Sequence, residues 1–148
     1  MQVPAVLSKT VLDRAKAFLC WDIYPDLSIK LIEMKQPMGF FYPPGKELST
    51  ILLFYPADCR DFTESLFLLF HEAGHYQQYL EYSRNHNSAN FTELMNCDKG
   101  KQRLEFEREA WDQAKALLDD FIRKYDIQFE NFPDAFVDYT NKSISSYK

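Results

Sequence analysis

The chain is poor in the features that bind nucleic acid, cross membranes or form disulfide frameworks. Its 148 residues hold 17 lysines and arginines against 22 aspartates and glutamates, without a basic cluster, so no phosphate-binding surface for nucleic acid is expected. No apolar run reaches the roughly 18 residues of a membrane span. The three cysteines lie far apart and form no CxxC pair, which favours reduced thiols over disulfides or a cysteine zinc site.

The N-terminal segment also lacks the pattern of a secretory signal peptide, because charged residues interrupt its apolar stretch. We therefore expect a cytoplasmic protein. The composition is otherwise that of a folded domain, with 46% hydrophobic and 16% aromatic residues. No repeat or long linker divides the chain, so residues 1–148 are expected to form a single domain.

The most informative motif is His71-Glu72-Ala73-Gly74-His75, an HExxH sequence. Two histidines four residues apart in a helix lie on the same face and can bind one metal ion. The glutamate between them can accept a proton from a water activated by that metal. The motif therefore predicts one zinc ion bound by His71 and His75, with Glu72 as the general base.

Hydrophobic periodicity predicts the elements around this motif. Helices are expected over residues 5–20, about 62–82 (the HExxH helix) and about 101–125, and strands over about 28–34, 39–42 and 50–55. Residues 83–100 are polar and loop-like, with at most one turn of helix at Phe91–Met95. A turn is expected at 43–45, and the tail 126–148 adds a short helix after Pro133. This order predicts an α+β fold in which a small, mostly antiparallel sheet packs on the HExxH helix and on a second long helix.

The third metal ligand must come from elsewhere in the chain. A metzincin site needs a histidine where Glu81 stands, so that type of site is excluded. His86 is the only other histidine, and its polar surroundings are typical of a solvated loop. The carboxylate candidates are Glu93, Glu105, Glu107 and Glu109.

Glu107 is the strongest of these candidates. At 100° per residue it lies in the middle of the apolar stripe of the second long helix, whereas Glu105 and Glu109 lie on its solvated face. A buried carboxylate is costly unless it is paired or bound to a metal. Small alanines beside Glu107 would let this helix approach the HExxH helix. Arg103, one turn earlier, offers the alternative of a purely structural ion pair.

The two motifs in this order resemble the ImmA/IrrE group of small metallopeptidases. The HExxH motif is followed by a helix of the form E-x-x-A-x-x-x-A-x-x-L-L, here Glu107 to Leu118, and is preceded by the segments GFFYPPG and TILLFYP, which resemble that family's short strands. The resemblance spans about residues 25–120. Trp111, Gln113 and the Asp119-Asp120 pair depart from the family pattern, and these departures affect the substrate more than the metal site.

The resemblance implies a zincin-like fold in which zinc is bound by His71, His75 and Glu107 while Glu72 acts as the base. Several members of the family act on repressor proteins. The implied partner is therefore a protein or peptide substrate, regulatory proteins included.

The combined prediction is a zinc metallopeptidase that hydrolyses a peptide bond. Tyr79 and Tyr82 lie near the histidine face and are candidates for stabilising the oxyanion. The strand over residues 50–55 would accept an extended substrate as an added strand if it lies at an edge. Two alternatives stay open: a metal-binding or protein-interaction domain without catalysis, and a zinc amidase that acts on a non-peptide bond.

Overall fold

The computed structural model describes residues 6–35, 37–43, 49–56, 58–129 and 131–148. Within them the chain forms five α-helices and three β-strands, which confirms the α+β class. The helices are α1 (Lys9–Ala17), α2 (Thr63–Arg84), α3 (Ser88–Met95), α4 (Lys101–Tyr125) and α5 (Phe132–Ile144), and the strands are β1 (Leu27–Met34), β2 (Met38–Tyr42) and β3 (Ser49–Pro56). A π-helical segment, Phe18–Ile23, continues α1, and a 3-10 turn, Ser145–Tyr147, follows α5.

The elements that carry the predicted site lie within two residues of their predicted bounds, since α2 covers Thr63–Arg84 and α4 covers Lys101–Tyr125. The polar stretch between them contains a full helix, α3, where at most one turn was expected. The predicted start of the first helix at residue 5, and residues 44 and 45 of the predicted turn, lie outside the described residues.

The sheet is mixed, where the sequence predicted a mostly antiparallel one. Its strand order is β1-β3-β2, with β3 parallel to β1 and antiparallel to β2. Alternating apolar residues show which face of a strand is buried and carry no information on the direction of its neighbours. Because β3 is central, both of its edges are paired, so the expectation that residues 50–55 accept an added substrate strand is wrong. The edge strands are β1 and β2.

One face of the sheet packs on α2 and the other lies outside the core. The inner face is apolar and buried, and its side chains are Leu27, Ile29, Phe41, Ile51, Leu53 and Tyr55. On the outer face, large apolar side chains of the two edge strands are exposed: Ile32, Met34, Met38, Phe40 and Tyr42. Residues of α2 are buried along most of the helix, so α2 is the central helix of the fold.

Helices α2 and α4 are in backbone contact at Gly74, inside the HExxH motif. A Cβ atom at Gly74 would lie 2.2 Å from the carbonyl oxygen of Ala110 and 3.3 Å from the amide nitrogen of Ala114, so only glycine fits there. Ala110 and Ala114 are themselves fully buried. These small residues produce the close approach predicted from the sequence. As a result Glu107, one turn before Ala110, lies opposite the two histidines.

Helix α5 packs against both α4 and α2. Its Phe136 and Tyr139 rings pack against Trp111, at centroid distances of 5.6 Å and 5.8 Å, and Phe136 also packs against Phe67 of α2 at 5.2 Å. None of the helices in the described part of the chain is both long and apolar enough to cross a membrane.

Candidate metal centre

Two histidines and one glutamate converge between α2 and α4. His71 Nε2 lies 3.0 Å from Glu107 Oε2, and His75 Nε2 lies 3.3 Å from Glu107 Oε1. The three side chains are buried, and one ligand atom from each lies within 4.8 Å of the others. Within the described residues they are the one group of three or more histidine, cysteine or acidic side chains with such spacing.

The two histidine–glutamate distances are short enough for the side chains to share one metal ion. With bonds of about 2.0–2.1 Å, neighbouring ligand atoms of a tetrahedral zinc site lie about 3.3 Å apart. Glu107 Oε2 is buried and has no hydrogen bond among the described residues, although His71 Nε2 is only 3.0 Å away. The two atoms are therefore close without the orientation of a donor and an acceptor. A shared cation would satisfy both of them.

Arg103 contacts the same carboxylate. Its Nη2 pairs with Glu107 Oε1, and its Nη1 donates to three carbonyls at the end of α3, those of Leu94, Met95 and Cys97, at 2.7, 2.6 and 3.1 Å. The ion pair that the sequence offered as an alternative therefore coexists with the histidine contacts. Arg103 holds Glu107 in place and joins α3 to the site, while Oε2 of Glu107 stays free of the ion pair.

The charges of the cluster stabilise one another. Burial acts to raise the pKa of Glu107, but the contacts and charges of His71 and His75 outweigh burial and hold that pKa well below its ordinary value. Burial acts to lower the pKa of His75, yet Glu107 outweighs it and the pKa of His75 is raised. Glu107 thus stays ionised, and a proton competes with any metal ion for His75 Nε2.

Gln78 fixes the orientation of His75. Its Oε1 lies 2.8 Å from His75 Nδ1, and its Nε2 donates to the Phe106 carbonyl at 2.9 Å and to Glu109 Oε1 at 3.2 Å. An amide oxygen only accepts, so His75 Nδ1 carries the proton and Nε2 keeps its lone pair for a metal. The sequence reading missed this role of Gln78. Its position three residues after His75, on the same helix face, was the available signal.

His71 is held by ring packing. Its imidazole stacks on the Trp111 indole, with centroids 4.2 Å apart and planes inclined by 21°. Trp111 is buried and packs in turn against α5. His71 Nδ1 has no hydrogen-bond partner within the part of the chain that the structure describes.

Glu72 lies beside the ligands and against the edge strand β2. A Cβ atom at Gly39 would lie 3.0 Å from Glu72 Cγ and 3.4 Å from Glu72 Oε1, so the missing side chain of Gly39 leaves room for this carboxylate. Burial and Glu107 have the largest effects on the pKa of His75, and the negative charge of Glu72 also raises it. The base proposed from the sequence is therefore close to the ligands.

The other candidates from the sequence have different surroundings. Glu93, Glu105, Glu109 and His86 are exposed. The Tyr79 ring packs on Phe41 and Phe91, and the Tyr82 ring packs on Phe91 and Phe106.

A cavity of about 260 Å³ is lined by residues that include Tyr82, Glu105, Phe106 and Glu109. The Phe106 ring stacks on His75 at 5.3 Å and also lines this cavity. The oxyanion role of Tyr79 and Tyr82 stays a prediction.

Comparisons of the chain with protein-family models, with characterised proteins and with solved structures found no match. The resemblance to the ImmA/IrrE metallopeptidases therefore stays a prediction that rests on the residues of the two motifs.

Proposed function

We propose that the protein is a zinc-dependent metallopeptidase. The observation that carries this proposal is the buried cluster of His71, His75 and Glu107. Glu72 follows His71 directly on the same helix. Two histidines and a glutamate are a common ligand set of catalytic zinc sites, which keep a fourth position for water or substrate.

In this proposal each residue has a defined task. Zinc, when bound, would supply a Lewis acid that lowers the pKa of a water toward neutrality and polarises a carbonyl group. Glu72 accepts the proton of the attacking water and passes it to the leaving amine. Gln78 keeps the Nε2 lone pair of His75 available, and Arg103 keeps the Glu107 carboxylate in place.

The edge strand β2 is the best place for an extended peptide. Among the described residues it pairs with β3 on one side only, and Gly39 in its second position lies against Glu72. A peptide added along its open edge would form backbone hydrogen bonds and pass close to the proposed base. In this proposal β2, and not β3 as the sequence suggested, pairs with the extended substrate.

A second function has support from two observations, the first of which is how little the site is exposed. His71 is 6% exposed and Glu72 is 7% exposed, so a substrate has limited access. The outer face of the sheet also exposes the apolar side chains named above. A structural metal site in a domain that binds a protein partner without cutting it would account for both features.

The experiment that separates these functions compares the wild type with Glu72→Gln. We expect one zinc per chain in both proteins by elemental analysis, and cleavage of a fluorogenic peptide library by the wild type alone. Zinc in both proteins without cleavage by either would favour the binding domain. A wild-type protein that takes up no zinc would overturn the metal site itself.

A further inference from the structure

A tyrosine that follows α5 packs on the arginine that pairs with Glu107. The ring of Tyr147, in the 3-10 turn Ser145–Tyr147, packs on the Arg103 guanidinium, with 4.9 Å between Arg103 Cζ and the ring centroid. The Gly100 amide donates to the Tyr147 carbonyl at 3.3 Å, so this turn is tied to the start of α4. Arg103 pairs with Glu107, and a single guanidinium therefore links the Tyr147 ring to the third ligand.

The charges that act on Tyr147 are those of the site. Burial raises the pKa of its phenol, the charges of Glu107 and Glu72 raise it further, and Arg103 lowers it. Glu107 belongs to α4 and Glu72 to α2, so carboxylates of both helices help to raise the pKa of this phenol. A phenol in these surroundings stays protonated at neutral pH and can donate a hydrogen bond.

Peptide hydrolysis at a metal needs such a donor, because the carbonyl oxygen becomes negatively charged in the transition state. Tyr79 and Tyr82, the candidates from the sequence, pack around Phe91. Tyr147, in contrast, packs on the arginine that binds the third ligand. Of the three tyrosines it is the one in contact with the cation that pairs with Glu107.

We propose that Tyr147 donates a hydrogen bond to the substrate carbonyl oxygen as that oxygen becomes charged, and that Arg103 holds the ring in position. The phenol keeps its proton throughout, so no atom is transferred in this step. The proposal rests on the proposed function, because the carbonyl must be held at the metal centre.

The test uses the zinc-loaded full chain as wild type, as Tyr147→Phe, and as a control variant, Tyr125→Phe. Tyr125 is the last residue of α4, and its hydroxyl binds the surface residue Asp22 at 3.0 Å. Three quantities are measured: the zinc content, the affinity for acetohydroxamate, and kcat and KM for a cleaved fluorogenic peptide. Acetohydroxamate is the probe because its oxygens bind zinc and present a charged acceptor to a nearby hydroxyl.

We expect Tyr147→Phe to retain one zinc per chain and the wild-type melting temperature. Its affinity for acetohydroxamate and its kcat should each fall by about 10–100-fold, as for loss of a hydrogen bond to a charged group, with little change in KM. Tyr125→Phe should match the wild type in all three quantities.

The outcomes separate the two proposals. Unchanged hydroxamate affinity in Tyr147→Phe overturns the role of Tyr147, whether or not the wild type cuts peptides. Loss of zinc or of folding in Tyr147→Phe also overturns it, in favour of a structural role. A wild type that binds zinc and hydroxamate but cuts no peptide overturns only the peptidase, and the hydroxamate result then decides on Tyr147. A wild type without zinc overturns both.

Discussion

The two halves of the candidate metal centre are held by different forces. At His75, Gln78 binds Nδ1 and is itself fixed by the Phe106 carbonyl. At His71, the ring lies on Trp111, and Nδ1 has no hydrogen bond within the described residues. Hydrogen bonds fix the tautomer and direction of a ligand, whereas stacking restrains mainly its plane. We therefore expect the His75 half to set the metal affinity and the His71 half to contribute mainly to core stability.

The largest effect is expected from Gly74→Ala, which disturbs both halves at once. The new Cβ would lie 2.2 Å from the Ala110 carbonyl oxygen, and neither atom can rotate away, so α2 and α4 must move apart. We expect a loss of about 1–3 kcal/mol in the free energy of unfolding. Zinc affinity should fall on the order of 100-fold or more, since Glu107 moves away from both histidines.

Calorimetric zinc titration and chemical denaturation measure these two effects. Arg84→Ala, at the exposed end of α2, is the control and should leave both quantities unchanged. Zinc affinity at the wild-type level in Gly74→Ala would show that the helix contact does not position Glu107.

The next largest loss of zinc affinity is expected from Gln78→Leu. This substitution changes the His75 half alone and so tests the difference between the two halves. The leucine fills a similar volume but cannot accept the His75 Nδ1 proton, so the ring loses its fixed tautomer. We expect zinc affinity to fall by about 10–100-fold in a competition titration with a chelator dye. Gln77→Leu is the matched control, since Gln77 binds Tyr24 and Glu81, and it should keep the wild-type affinity. Equal affinities for the two variants would remove the distinction between the halves.

Trp111→Phe changes the His71 half alone and should affect zinc binding less than Gly74→Ala or Gln78→Leu does. Phenylalanine keeps a ring under His71, so only part of the roughly 0.5–1.5 kcal/mol of an aromatic pair is lost. The smaller ring leaves space in the core, and we expect the free energy of unfolding to fall by about 1–3 kcal/mol. Denaturation and zinc titration of the same sample give both values. A loss of affinity as large as that of Gln78→Leu would contradict the comparison.

The smallest effect concerns pH and the proton on His75. Its pKa is raised in the folded protein, so its contribution to stability is complete below the unfolded pKa of about 6.5 and is lost as pH rises through the folded value. The pKa of Glu107 is lowered, so its contribution is present above about pH 4.3 and is lost as pH falls through the folded value.

The protein in chelator should therefore become less stable as pH rises above about 6.5. Zinc binds neutral histidine, so the increase in melting temperature on adding zinc should grow over the same interval. Thermal melts from acid to neutral pH, with chelator and with zinc, test both trends. An increase that stays constant with pH would mean that no proton leaves His75 when zinc binds.

Helical periodicity was enough to choose the three side chains that converge in the structure. The spacing of His71 and His75, and the place of Glu107 in an apolar stripe, depend only on positions within one helix. The alanines beside Glu107 indicated close helix packing, and the contact of Gly74 with Ala110 and Ala114 shows it. These features depend on positions within single helices, so they can be predicted from the sequence.

Features that join distant parts of the chain could not be predicted in the same way. The parallel pairing of β1 with β3 leaves no mark in the alternation of either strand. The contact of Tyr147 with Arg103 joins residues in separate elements, and no sequence period relates them. Gln78 lies between these cases, because its spacing from His75 was visible while its hydrogen bonds to α4 were not.

The most direct test of the central claim compares zinc binding by Glu107→Gln and Glu105→Gln. The two glutamates are two residues apart on α4, one fully buried at the histidines and the other exposed. Glutamine at position 107 still offers Arg103 an acceptor, so the variant removes mainly the charge of the third ligand. We predict that Glu107→Gln loses roughly 100-fold or more in zinc affinity, while Glu105→Gln binds one zinc as tightly as the wild type. Equal zinc affinity in the two variants would contradict the assignment of Glu107 as the third ligand.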